Sequence, residues 1–385
     1  MIKRKGLGYN MSQRLVHTPE GVRDIYGAEY EKKLLVEERI HRVLKGYGCH
    51  DIQTPSFEFF DVFSREIGTT PSKDLYKFFD KEGNTLVLRP DFTPSIARCA
   101  VKYFAEEKTP LRFCYQGNAF SNTSELQGKL KEVTQIGSEL IGDPSVQADA
   151  EMAAMMIESL LAAGLKEFQV SIGQVDYYRG ICEEAGLSEE MEMSLRDYIS
   201  SKNFFGAEDF LIQNHVSEKE RSILLKSAEL FGGAEILEEA KNSVTSERAI
   251  KAVERLEQIY RALCVYGVEK YVSFDLGMLS KYHYYTGVIM RGYTYGVGEA
   301  IVTGGRYDKL LGYFGNDRPA IGFMVVIDYL MEALSRQHIE IPTDSRAGII
   351  YYEDTPESFG AAVREAKKRR EQGERVELRP KEKQG

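Results

Sequence analysis

The residues best suited to chemistry gather in positions 275–308, DLGMLSKYHYYTGVIMRGYTYGVGEAIVTGGRYD. Tyr282, Tyr284 and Tyr285 stand around His283, and the stretch closes on Gly304 and Gly305. Tyrosine hydroxyls beside bare backbone suit a small polar ligand that must be packed and hydrogen-bonded at once. Paired glycines at a strand end let such a ligand approach the main chain closely. Periodicity alone favours a plainer reading, a tyrosine-rich sheet edge with a tight turn. Two further pairs carry useful groups. Asp91 and Thr93 set an acid and a hydroxyl two positions apart, a combination that suits an ammonium group with its three donors. The same spacing fits Asp91 equally well as the cap of a helix starting near Pro94. Gln135 and Glu139, four positions apart, fall on one face if their segment is a strand.

Alternation and punctuation identify the elements that hold these residues. Val288 and Met290 alternate ahead of a turn-prone GYTYGVG, and residues 300–302 follow, which predicts two antiparallel strands. LRFCYQGNAF (111–120) and VTQIGSELIG (133–142) read as another antiparallel pair around the polar loop SNTSELQGKLKE. Leu86 and Leu88 lead into Pro90, again a strand running into a turn. Leu34, Leu35, Ile40, Val43 and Leu44 form a helical stripe over residues 29–46, and a short strand closed by Pro55 follows. A second helix over 144–164 carries Met152, Met155 and Met156 as core packing. Residues 176–268 are almost wholly helical in pattern and read as an inserted domain. Residues 319–330 read as a strand running into a helix, and 348–378 as strand, helix, strand.

At 385 residues, with 43% hydrophobic and 28% charged residues, the chain has the composition of a globular protein of two or three domains. No apolar run is long enough to cross a bilayer, and the basic N-terminus lacks the apolar core of a signal peptide. Cys49, Cys99, Cys114, Cys182 and Cys264 show no CxxC spacing. This argues against a disulfide framework or a zinc site and fits the reducing cytoplasm. The net charge of −9 weighs only mildly against RNA, since a basic face can hide within an acidic total.

KYHYYTG followed by TGGRYD resembles the histidine-specific segment of class II histidyl-tRNA synthetases. It is still more similar to the synthetase-like paralogues that serve as regulatory subunits of ATP phosphoribosyltransferase. The resemblance covers roughly residues 17–340. The helix and strand ending in Pro55 resemble motif 1, the dimer interface of that family. The 111–142 hairpin resembles motif 2, and 319–330 motif 3. The resemblance implies an α+β fold, a class II aminoacyl-tRNA synthetase-like antiparallel sheet flanked by helices. Its core falls at 1–175 and 269–342, with a helical insertion at 176–268 and a partial anticodon-binding-like βαβ tail at 343–385.

By the same resemblance, Asp91, Thr93, Gln135, Glu139, Tyr284, Tyr285 and Gly304 line a histidine site, with a carboxylate placed to meet an imidazole. The phosphate side departs from the synthetase pattern. Ser121 and Tyr329 stand where the synthetases carry arginines for ATP, and Thr123 where they carry a loop glutamate. Ser280 replaces the histidine-specific arginine, with Lys281 beside it as a substitute charge.

Three functions follow from these residues. An active synthetase must stabilise a pentavalent phosphate, and losing one donor to such an anion costs about 2.7–4 kcal/mol, so losing three arginines excludes useful aminoacylation. A scaffold with a vestigial pocket has no need of the matched polar groups that remain. The regulatory-subunit family implies a non-catalytic chain that needs no cofactor, binds no tRNA or membrane, and forms a homodimer through the motif 1-like segment. That dimer is expected to join a short-form ATP phosphoribosyltransferase catalytic subunit in a hetero-octamer of four plus four. It would be required for the first step of histidine biosynthesis, with L-histidine as feedback effector.

Overall fold

The computed structural model describes residues 16–63, 70–123, 129–278, 285–343 and 347–381. They divide into two compact units, residues 1–24 with 36–340 and residues 25–35 with 341–385.

The first unit is built on a nine-stranded sheet. Helix α1 (Gly27–Gly46), whose first residues belong to the second unit, buries Val36, Ile40 and Leu44 completely, one face at four-residue spacing. Leu34, expected on that stripe, is 44% exposed. Apolar residues at 34, 35, 36, 40, 43 and 44 permit two neighbouring stripes, and packing selects the one through Val36. Strand β1 (His50–Asp51) follows at the sheet edge. A separate three-stranded sheet comes next, from β2 (Phe57–Phe59), β3 (Lys77–Phe79) and β4 (Thr85–Leu88). Helix α2 (Thr93–Tyr103) begins where the Arg89–Pro90 turn ends.

Strands β5 (Leu111–Phe120) and β6 (Glu132–Ile141) form a long antiparallel hairpin that sets Phe113 opposite Glu139 and Gly117 opposite Gln135. Helix α3 (Val146–Ala163) is capped by the Ser145 side chain and ends at Gly164 in the left-handed region. Met152, Met155 and Met156 are fully buried in it, as core packing requires. Strand β7 (Phe168–Gln174) then enters the helical segment. This comprises α4 (Val175–Glu184), α5 (Glu189–Ser200), α6 (Phe204–Gln213), α7 (Glu218–Ser227), a two-residue β8 (Phe231–Gly232), α8 (Glu235–Asn242) and α9 (Glu247–Tyr266).

The chain returns to the sheet with β9 (Val272–Asp275), β10 (Val288–Thr294), β11 (Val302–Arg306) and β12 (Ala320–Val326), and β12 runs directly into α10 (Ile327–Arg336). The strand order is β1-β5-β6-β12-β11-β10-β7-β9-β8. The sheet is antiparallel except for the pairs β1/β5 and β7/β9, which are parallel. The β6-β12-β11-β10 order brings the hairpin and the tyrosine–glycine stretch side by side although about 150 residues separate them. In the second unit, β13 (Gly348–Tyr352) and β14 (Val376–Pro380) pair in parallel around α11 (Pro356–Glu371), a βαβ piece.

Among the described residues no helix is long and apolar enough to cross a membrane. All five cysteines are free thiols.

Candidate functional site

A cavity of about 390 Å³ lies over the β6-β12-β11-β10 part of the sheet, within the range of small-molecule sites. Its floor is a row of small residues. Glu139 on β6 faces Gly322 on β12, Gly322 faces Gly305 on β11, and Gly305 faces Ile289 on β10. A Cβ on Gly322 would collide with the Glu139 carboxylate, and one on Gly305 would lie 2.5 Å from the Tyr285 ring. The two glycines therefore leave room for the side chains that shape the cavity. Gly304 also borders it, but a Cβ there would meet Phe323 and the Gly322 carbonyl, so its contribution is backbone.

The deep end is carboxylic. Glu139 is 1% exposed; its Oε1 accepts from Thr93 Oγ1 at 2.7 Å and its Oε2 from the Tyr307 hydroxyl. Asp91 is buried beside it, and its Oδ1 accepts the Thr93 backbone N–H at 3.0 Å. Asp91 thus meets the first residue of α2 and borders the cavity, but the N-cap position falls on Phe92 and carries no side-chain cap, so Asp91 is not the helix cap that its spacing from Pro94 suggested. Burial pushes the Asp91 carboxyl up to about 7, against the pull of the Thr93 N–H. Burial pushes Glu139 up to about 8, opposed by the Tyr307 and Thr93 hydrogen bonds and reinforced by the neighbouring Asp91.

Arg89 fixes this corner. Its guanidinium donates to the carbonyls of Asn118 at 2.8 Å and Thr54 at 2.9 Å, so one side chain ties the turn before α2 to strand β5 and to the segment after β1. It stacks 3.8 Å from the centre of the Phe92 ring, which stacks 4.5 Å from Tyr115. Burial draws the Arg89 pKa down to about 10. Behind β11, Arg306 is 3% exposed and joins Asp149 of α3 at 2.6 Å, while Arg255 of α9 holds the other Asp149 oxygen. This cluster anchors the strand that delivers Tyr307.

The structure brings Asp91, Thr93, Glu139, Tyr285 and Gly304 to the cavity. Gln135 is not among the lining residues. It is 4% exposed, and its Oε1 has no hydrogen-bond partner among the described residues. Tyr284 and Ser280 lie outside the described residues, together with Lys281, Tyr282 and His283. Sequence reasoning missed Tyr307, Tyr115, Gly322, Arg291 and Glu299, all of which border the cavity. Tyr307 had a signal, since it lies two residues beyond Gly305 and so shares its side of β11. Arg291 and Glu299 had none without the strand order.

On the phosphate side, Ser121, Thr123 and Tyr329 are described, and none of them lines the cavity. Ser121 uses its backbone N–H to reach the Lys131 carbonyl at 2.9 Å. Tyr329 is half-buried in the first turn of α10, where burial and Glu299 push its hydroxyl up. Glu299 is paired with Lys129 at 2.7 Å. The described lining thus holds three acids, Asp91, Glu139 and Glu299, against one cation, Arg291. A ligand carrying an ammonium or an imidazolium would pair with Asp91 and Glu139 and favour their ionised forms.

Away from the cavity, His41, Asp51 and Cys114 bring metal-ligand atoms within 4.8 Å of one another. The two Asp51 oxygens are already engaged, one by His41 at 2.5 Å and the other by Lys45 at 2.9 Å, so a cation would have to displace an ammonium.

The Histidyl-tRNA synthetase family model matches residues 21–330. The chain is 40% identical over 356 residues to the ATP phosphoribosyltransferase regulatory subunit of Ruminiclostridium cellulolyticum, covering 92% of this chain and 85% of the relative. It is also 40% identical over 368 residues to the regulatory subunit of Acetivibrio thermocellus, covering 96% and 88%. A crystal structure of an ATP phosphoribosyltransferase regulatory subunit/histidyl-tRNA synthetase from Bacillus halodurans superposes with a TM-score of 0.87 at 34% identity, covering 95% of this chain and 93% of that one.

Proposed function

Because the chain belongs to the family of ATP phosphoribosyltransferase regulatory subunits, which is built on the histidyl-tRNA synthetase fold, we propose that it is a non-catalytic histidine sensor. It serves the first step of histidine biosynthesis and neither activates an amino acid nor charges tRNA. The observation that carries this reading is the deep end of the cavity, where Asp91 and Thr93 stand beside a Glu139 carboxylate held by two hydroxyls. Such a corner suits a ligand with an ammonium group and an imidazole, with Tyr285 packed against it. Against catalysis stands the phosphate side, where Ser121 and Tyr329 offer no cation.

The partner in this reading is a short-form ATP phosphoribosyltransferase catalytic subunit, joined in a hetero-octamer of four plus four. The regulatory chains form a homodimer through the motif 1-like segment, α1 and β1, and the assembly works in the cytoplasm. L-histidine at the cavity would lower catalytic activity through a coupling free energy between the two sites.

Calorimetric titration of the full chain with L-histidine, and separately with ATP, tests the site. Histidine should bind, the Tyr285→Phe, Glu139→Gln double variant should lose it, and ATP should give no heat. Tight ATP binding would contradict the reading. Co-purification with the catalytic chain followed by mass measurement tests the assembly, and a monomer indifferent to that chain would contradict it.

A further inference from the structure

We propose that Arg291 is the receptor for the ligand's carboxylate, so that the cavity is built for a free, zwitterionic α-amino acid rather than for an amine or an imidazole alone. This rests on the histidine-sensor reading and adds the residue that completes it. The deep end of the cavity supplies acids and hydroxyls, which hold the cationic parts of a ligand and repel its carboxylate. The family's histidine-specific arginine is Ser280 in this chain, so a carboxylate has to find its partner elsewhere.

Arg291 is the single cation among the described lining residues. It sits on β10 two residues beyond Ile289, on the same side of the sheet, opposite Thr303 of β11. Glu139 lies three strands away on β6, and the Thr303–Met324 row is offset by two residues from the Gly305–Gly322 row. Strand spacing puts the two backbones about 16 Å apart. Both side chains border the cavity of about 390 Å³ that lies over this span, a gap of small-molecule size.

The guanidinium is half-buried and available. Among the described residues it forms no ion pair; the nearby cavity acid Glu299 is taken by Lys129 at 2.7 Å, and Asp275 on β9 feels the charge of Arg291 without pairing with it. A planar guanidinium with parallel N–H groups matches a carboxylate better than an ammonium does.

The test compares L-histidine with histamine, which lacks the carboxylate, by calorimetry on the full chain. Wild type should bind histamine roughly 10–100-fold more weakly than histidine, the factor expected for a charge-assisted hydrogen-bonded pair. Arg291→Met should weaken histidine by the same factor and leave histamine unchanged, and Arg291→Lys should recover part of the loss. Equal affinity of wild type for the two ligands would overturn the proposal without any variant. Unchanged histidine binding in Arg291→Met would overturn it too, as would equal weakening of both ligands or a loss that follows Lys281→Met instead. These outcomes leave the sensor reading intact. A wild-type chain that binds neither ligand would overturn both.

Discussion

Thr93 and Glu139 are joined by a 2.7 Å hydrogen bond across 46 positions of chain, hydroxyl to carboxylate. On the other oxygen the same carboxylate accepts from Tyr307, 168 positions further along. The first turn of α2, the last part of β6 and the residue after β11 thus converge on one side chain, itself almost fully buried. A buried carboxylate is costly when ionised and unpaired, and here the two hydroxyls reduce that cost only in part. The corner is therefore set to respond to a ligand that brings positive charge.

The Asp91–Glu139 corner should make the folded chain lose stability as pH rises. Asp91 and Glu139 titrate near 7 and 8 in the folded chain, well above the ordinary 3.8 and 4.5 they regain on unfolding. Between those values the folded state binds more protons than the unfolded one. The protonated forms stabilise the fold at low pH, and the contribution disappears as pH climbs through the folded values. Each group can contribute a slope of up to about 1.4 kcal/mol per pH unit. Urea midpoints measured from pH 5 to 8.5 should fall with pH in wild type. In Glu139→Gln they should fall less steeply, by close to one group's share.

Ligand binding should release protons near neutral pH. A cation placed against Glu139 and Asp91 favours their ionised forms, so histidine binding should strengthen as pH rises from 6 to 8. Calorimetric enthalpies in buffers of different ionisation heat count the protons released; the count should fall in Glu139→Gln. Tyr307→Phe removes a hydrogen bond that lowers the Glu139 pKa, which should move the rise in affinity to higher pH. A proton count of zero in wild type would mean that both acids are already ionised.

Much of this architecture was legible in the chain. The alternation around Val288 and Met290, the β5–β6 hairpin and the methionine stripe of α3 all appear where periodicity places them. So does the pairing of Gln135 and Glu139 on one strand, yet only Glu139 reaches the cavity. Which residues a sheet face presents depends on the neighbouring strands, and β12 and β11 come from far along the chain. The same non-local order brings Arg291 and Glu299 to the cavity rim, where no local pattern marks them. The stripe of α1 shifted to Val36 because helical spacing allows adjacent solutions that only tertiary packing decides between.

Gly322→Ala should damage the site from within the sheet. Its methyl group would occupy the space of the Glu139 carboxylate, forcing that side chain away from the Thr93 and Tyr307 hydroxyls. Overpacking of this kind costs about 1–3 kcal/mol, and histidine affinity should fall with it. Gly298→Ala is the matched control, since a Cβ there meets nothing within 4 Å although the residue also borders the cavity. Urea unfolding and histidine titration on the two variants separate floor from rim; equal behaviour would remove Gly322 from the account.

The ion cluster behind β11 should matter more to stability than any surface pair. Asp149 is fully buried, and its oxygens hold Arg306 and Arg255, each at 2.6 Å. Burial pushes the Asp149 carboxyl up, and the two guanidinium groups pull it back. Asp149→Ala would leave the buried Arg306 guanidinium without its main counter-charge, with only Asp308 and the Asp143 and Ser145 carbonyls in reach. Breaking a buried pair from one side costs about 3–5 kcal/mol. Lys251→Ala, which removes an exposed pair with Glu247 on α9, should leave the unfolding midpoint where it is. Because Arg306 precedes Tyr307, the surviving folded fraction of Asp149→Ala should also bind histidine more weakly. Full stability in that variant would mean that the cluster neither holds β11 in place nor positions the tyrosine.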